Sequence, residues 1–118
     1  MAVVDVTEAY AGTEAVGVTE HSMTTDTAGP DVTTANGIYV IYLDLSDMIA
    51  GDELQVRVYE KVQSTDTQRI VYQSNLVGAQ GNPNWYSIPF VLMHGWDATL
   101  DAIAGTITVT WSIRQVGA

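Results

Sequence analysis

From residue 106 to residue 115 the chain alternates without a break. Ile107, Val109, Trp111 and Ile113 fall on one side, and Thr106, Thr108, Thr110, Ser112 and Arg114 on the other. A period of two over this length is a strand with one buried face, and a one-residue slip would put every apolar side chain in water. The same period runs through residues 37–45 and 53–62. In the second stretch Leu54, Val56 and Val58 face one way and Gln55, Arg57 and Lys61 the other. In the first, Tyr39, Ile41, Leu43 and Leu45 form one face, while Val40 and Tyr42 make the other apolar too. That predicts a central strand covered on both sides. Ala50, Gly51 and Asp52 supply turn chemistry between the two arms, which read as a long antiparallel hairpin with a loop of about six residues.

Further strand character lies in residues 3–7, 15–23, 69–76, 85–93 and 96–103. Pro89 cannot donate to a ladder, so the strand holding it is expected at an edge or bulged. Gly29-Pro30, Asn82-Pro83 and Ala104-Gly105 punctuate the pattern. Nothing reads as a helix beyond one turn in residues 44–50. Short strands with Gly/Pro punctuation predict an all-β chain: an antiparallel β-sandwich of jelly-roll or Greek-key type with seven to nine strands. The absence of a blade-length repeat argues against a propeller.

At 118 residues the chain is one domain. Residues 1–36 hold six acids, eight threonines and no Lys or Arg. Such a segment buries little apolar surface by itself. Residues 1–14 are therefore read as an N-terminal arm and residues 15–118 as the sandwich domain. Val3, Val4 and Val6 give the arm strand capacity, so residues 3–7 are expected to pair with or lie against another subunit by strand addition. Deleting residues 1–12 is then expected to leave a folded domain with weakened assembly. The first residues lack a basic, then apolar, leader pattern, and no stretch approaches the roughly 20 apolar residues of a membrane span. A cytosolic or assembled-particle setting is expected.

The net charge of −10 disfavours contact with nucleic-acid backbone. Without cysteine there are no disulfides, thiolate metal sites or Cys nucleophile. Asp44, Asp47, Asp52 and Glu53 crowd the end of the expected hairpin, and oxygen ligands suit Ca²⁺ or Mg²⁺. Their spacing lacks the EF-hand form, and solvated turn acids are the reading taken. His21 and His94 are far apart in sequence with no zinc-type spacing. His94 beside Asp97 is the best dyad on offer, but no third group or Gly-x-Ser-x-Gly elbow accompanies it. No catalytic, cofactor-binding or metal-binding residue is therefore assigned, and the chain is read as non-enzymatic.

The residues left for partner contact are Val3, Val4, Val6, Arg57, Lys61, Arg69, Trp85 and Tyr86. Arg57, Lys61 and Arg69 are three of only four bases, and they either bridge to an acidic partner or pair with the chain's own acids, Glu60 or Asp66. Trp85 and Tyr86 lie at a loop edge, where an aromatic pair either stacks on a sugar or protein surface or is buried at the rim. Trp111 belongs to the core face; Trp96 fits either core or contact.

Several segments taken together resemble a known group. They are the residue 38–48 strand Ile-Tyr-Val-Ile-Tyr-Leu-Asp-Leu-Ser-Asp-Met, Gly51-Asp52, Val58-Tyr-Glu-Lys-Val62, Thr67-Gln-Arg-Ile-Val-Tyr72, His94-Gly-Trp-Asp-Ala-Thr-Leu100 and Trp111-Ser-Ile-Arg-Gln-Val116. Over about residues 36–118 the chain is similar to small tailed-phage virion proteins encoded among head structural genes, and departs from them at residues 102–106. The resemblance implies a β-sandwich head-decoration, or cement, protein on the outside of a capsid. Its implied partners are the major capsid protein lattice and itself, with trimers suited to local threefold positions. It also implies synthesis in a host cytoplasm and residence in the virion; from the charge and the lack of a long apolar stretch, no nucleic-acid or membrane partner is expected. A carbohydrate-binding β-sandwich, resting on Trp85, Tyr86 and Trp96, is the rival from another class.

Overall fold

A computed structural model of the chain describes residues 5–117. Ten strands follow one another: β1 Val6–Val16, β2 His21–Ser22, β3 Thr27–Ala28, β4 Gly37–Asp44, β5 Glu53–Glu60, β6 Arg69–Val77, β7 Asn84–Tyr86, β8 Phe90–Leu92, β9 Asp97–Ala104 and β10 Ile107–Val116. There is no helix among the described residues. The strands form two antiparallel sheets. In the first, β1, β10 and β4 lie side by side and β4 carries both β7 and β8 on its far edge; the second has the order β3-β2-β9-β5-β6. If β7 and β8 are taken as one interrupted strand and the short β3 is set aside, this is the eight-strand order of a jelly roll, whose two sheets exchange strands along the chain.

The inward faces meet in one core. Sheet one contributes Tyr39, Ile41 and Leu43 from β4 and Ile107, Val109, Trp111 and Ile113 from β10. Sheet two contributes Leu54, Val56 and Val58 from β5 and Ala98, Leu100 and Ala102 from β9. These are the positions that alternation selects. Each large aliphatic side chain taken fully from water stabilises by about 1.5–3 kcal/mol. Trp96 belongs to the core as well, its Nε1 donating to the Ala35 carbonyl at 2.7 Å. Its ring packs on Tyr39 and Tyr10, with centroids at 4.7 and 5.9 Å.

Three expectations are corrected. The two arms at 37–62 do not form a hairpin: β4 and β5 lie in different sheets. Residues 45–52 cross the end of the sandwich, anchored there by their own buried Leu45 and Met48. The turn is held by the Asp52 carboxylate, which accepts from the Ile49 N–H at 3.0 Å. Second, β4 is central, but its second face, with Val40 and Tyr42, is only half-buried. Third, residues 6–14 are part of the sheet. β1 pairs with β10 from Val6↔Val116 to Val16↔Ile107, with a bulge between Glu8 and Tyr10. The expected boundary between residues 14 and 15 thus falls inside a continuous strand. Val3 and Val4 lie outside the described residues.

The strand expected at 85–93 is broken at residues 87–89 into β7 and β8, both pairing with β4 at the margin of sheet one, as Pro89 requires. At the opposite end of the chain the Gly117 N–H donates to the Asp5 carbonyl at 2.8 Å, extending the β1–β10 ladder by one step.

Candidate functional site: the outer face of the first sheet

The register of sheet one places outward side chains in lateral rows. Val6, Val116, Ile38 and Val91 are consecutive cross-strand partners, so one apolar row runs across all four strands. Val91 is 79% exposed, Val6 60% and Ile38 40%. The next row begins Glu8, Arg114, Val40. Beyond it lie Ala11, Ser112, Tyr42 and Tyr86, and then Thr13, Thr110, Asp44 and Asn84.

The middle of this face is organised around Arg114. Its guanidinium carbon stands 3.8 Å from the centroid of the Tyr42 ring, a cation–π contact. Tyr42 in turn packs on Tyr86 at 4.3 Å. On the other side the Arg114 Nε–H donates to Ser112 Oγ at 3.2 Å, and the Ser112 hydroxyl donates to Glu8 Oε2 at 2.6 Å. Four strands thereby contribute to one row of contacts, from Tyr86 through Tyr42 to Arg114 and on through Ser112 to the Glu8 carboxylate. The groove above has a volume of about 510 Å³ and is walled by Tyr42, Tyr86, Asp44, Asn84, Glu8 and Arg114.

The expected partner-binding residues are dispersed. Val6 lies in the apolar row. Trp85 and Tyr86 separate, as neighbours on a strand must: Trp85 packs inward opposite Leu43, and Tyr86 points outward at 61% exposure. Arg57 is on the outer face of sheet two, where its Nη1 lies 3.6 Å from Glu20 and 3.8 Å from Asp101. Lys61 lies past the end of β5 with its stem against Gly95. Arg69 is mostly exposed, 3.7 Å from Asp66. The bases therefore do not gather into one patch; Arg57 and Arg69 pair with the chain's own acids.

Sheet two has its own polar network. Glu20 Oε2 accepts from the hydroxyls of Tyr59 and Thr99. Burial, together with the Glu20 carboxylate it donates to, pushes the Tyr59 phenol up to about 12. Burial also raises the Asp101 pKa, against the opposing pull of Arg57; among the described residues its Oδ1 has no hydrogen-bond partner. Asp97 is fully buried and belongs to structure. It accepts from Ser22 Oγ at 3.0 Å, Thr24 Oγ1 at 2.7 Å, and the Asp31 and Ala98 N–H groups. This pins residues 22–31 over the sheet, and none of its hydrogen bonds goes to His94. The acids expected at a hairpin end are each engaged within the chain, Asp44 and Asp52 in local turns and Asp47 and Glu53 by more distant groups, the Asn75 Nδ2–H donating to Glu53. Asp44 accepts from the Ser46 N–H, which lowers its pKa, and Asp47 accepts from the Thr108 N–H.

Sequence reasoning passed over two groupings. Tyr42 reads only as part of an apolar second face and Arg114 only as one outward residue of its strand, until register sets them side by side. Glu14, His21 and Asp26 come together although they lie on β1, on β2 and just before β3. No motif spacing marks such a set, because the contact depends on how the sheets meet.

No family model and no curated protein matches the chain. Among solved structures, it is similar to one described as "Bacillus endospore appendages form a novel family of disulfide-linked pili". That match has 18% identity and a TM-score of 0.46, covering 98% of this chain and 88% of the other. A second is the Eiger TNF of S. frugiperda, with 12% identity and a TM-score of 0.45, covering 98% and 92%. Both TM-scores lie below 0.5, and neither likeness bears on what this chain does.

Proposed function

We propose that this chain is a non-enzymatic structural subunit of a virion, a decoration or cement protein that docks on a capsid lattice and associates with its own copies. The observation that carries this reading is the outer face of sheet one. An uncovered row of Val6, Val116, Ile38 and Val91 beside a Tyr–Tyr–Arg cluster is the chemistry of interface anchors, in which aromatic and Arg side chains dominate binding energy. The resemblance of residues 36–118 to phage head proteins supports the same reading, and trimers on local threefold positions are the arrangement it implies.

The test is co-sedimentation of the purified protein with phage heads lacking it, together with sedimentation velocity over a concentration series. Binding and self-association are expected, and Val91→Lys or Tyr86→Ala should each weaken them by about tenfold or more. A protein that stays monomeric and ignores the shells overturns the proposal. The carbohydrate-binding alternative now rests on Tyr42 and Tyr86 flanked by Asp44 and Asn84, since Trp96 is buried and Trp85 faces inward. A glycan array showing clear, Tyr86-dependent sugar binding selects that alternative.

A further inference from the structure

We infer that Glu14, His21 and Asp26 form a binding site for a divalent transition-metal ion of the zinc class, fastening the rim of one sheet to the rim of the other. The three residues come from three separate pieces of chain. Glu14 lies on β1, the edge strand of sheet one. His21 lies on β2 of sheet two, and Asp26 ends the turn that leads into β3. His21 Nε2 stands 2.7 Å from Asp26 Oδ1 and 3.7 Å from Glu14 Oε2, and one ligand atom from each residue lies within 4.8 Å of the other two.

These separations suit a shared cation. Zinc bonds of about 2.0–2.2 Å in a tetrahedron hold ligand atoms about 3.4 Å apart. The observed spacing brackets that figure, so closing on an ion asks for side-chain adjustment alone. The imidazole is already oriented, with its ring packed on Trp111 at a centroid distance of 5.6 Å. His21 is only 12% exposed, whereas Glu14 and Asp26 reach water. The cluster opens into a groove of about 710 Å³ lined also by Gly17, Thr19 and Gly105, which leaves room for water in a fourth position. In the metal-bound form the Nε2–H···Asp26 hydrogen bond is replaced by coordination through the Nε2 lone pair, with the imidazole proton on Nδ1.

The donor set decides the class of ion. One imidazole nitrogen with two carboxylates favours Zn²⁺, Co²⁺ or Ni²⁺ over Ca²⁺ and Mg²⁺, which prefer all-oxygen shells. The role is a structural one. A metal here would close the side of the sandwich where residues 17–20 pass from β1 to β2. This inference is independent of the capsid reading and survives its failure.

The probe is Zn²⁺ added to tag-free, chelator-treated full-length protein. Calorimetry should give one site per chain with a micromolar or tighter Kd, and Co²⁺ should give tetrahedral visible absorption. At about a hundredfold excess over Kd, Tm should rise by about 5–10 °C. Glu14→Gln and Asp26→Asn preserve shape and should lower affinity tenfold or more, while His94→Gln should leave it unchanged. His21→Gln should abolish the Co²⁺ spectrum; Tm without metal reports whether that variant folds, and the two carboxylate variants carry the test if it does not. Absence of saturable binding at millimolar Zn²⁺ overturns the inference. So does affinity indifferent to Glu14→Gln and Asp26→Asn, or Ca²⁺ or Mg²⁺ binding as tightly as Zn²⁺.

Discussion

Gly12 sits against the face of a buried ring: a Cβ built there would meet Trp111 Cζ2 at 2.5 Å. Trp111 cannot retreat, because its Nε1 donates to the Met23 carbonyl and its surroundings are packed core. Gly12→Ala is therefore expected to cost about 1–3 kcal/mol in denaturant unfolding, the usual range for overpacking. Val56→Asp buries an unpaired charge at a fully inaccessible position and should be severely destabilising, lowering the denaturant midpoint far more than any surface change. Gln55 faces the other way, yet it is buried too, and its Nε2–H donates to Asn75 Oδ1 at 3.1 Å. Gln55→Ala should cost about 1 kcal/mol, more than an exposed position would; a midpoint shift equal to that of Val56→Asp would refute the facing assignment. Asp101 adds a pH dependence of known sign. Its folded pKa is raised, chiefly by burial, so its contribution is fully present below the unfolded value and lost as pH rises through the folded one. Asp101→Asn should then be more stable than wild type at pH 7, with the gap closing in acid. A gap that widens below pH 4 would contradict this.

At the scale of elements, alternation told which face of each strand is buried but not which strand lies beside it. β10, β6 and β9 appear where their patterns place them, within a residue or so. The 37–62 arms fail as a hairpin because Gly51 serves a turn within a sheet and a crossing between sheets equally well. What distinguishes them is the burial of Leu45 and Met48 in the connection, a tertiary fact. β1 is weakly marked for a related reason. Its inward set is Tyr10, Gly12, Glu14 and Val16, and with the bulge after Glu8 shifting the phase, the apolar period is weak. The same strand supplies Tyr10 to the Trp96 ring and Gly12 to the Trp111 ring. Deleting residues 1–12 is accordingly expected to uncover Trp111 and the outer edge of β10. Tm should fall by 10 °C or more, or cooperative unfolding should be lost, in a thermal melt followed by Trp fluorescence. A truncation that melts like the full chain would restore the reading of a dispensable arm.

For the molecule as a whole, the strand order makes most pairings distant in sequence. β1 meets β10, and β2 meets β9, only when nearly the whole chain is present. Such a topology folds slowly for its size, because loop closure precedes the contacts that reward it. The candidate surfaces share this origin. The Val6, Val116, Ile38 and Val91 row draws on both ends and the middle of the chain, and so does the Arg114 cluster. A linear reading could name Val6 and Tyr86 individually and still miss that register sets them on one face.

The last backbone bond of the β1–β10 ladder, from Gly117 to Asp5, also has a consequence for the covalent path of the chain. Two points 112 residues apart along the polypeptide are hydrogen-bonded neighbours, so the backbone from residue 5 to residue 117 is nearly a ring with one cut in it. The position of that cut is then close to arbitrary for the sandwich. A short Gly-Ser link from residue 117 to residue 5, with new ends opened at the exposed Gly81, should give a permuted protein with the same core. Matching near-ultraviolet dichroism of Trp96 and Trp111 would verify it. In the natural order, the backbone at residue 5 and the backbone at residue 117 meet at the same corner of the sandwich, next to the apolar row.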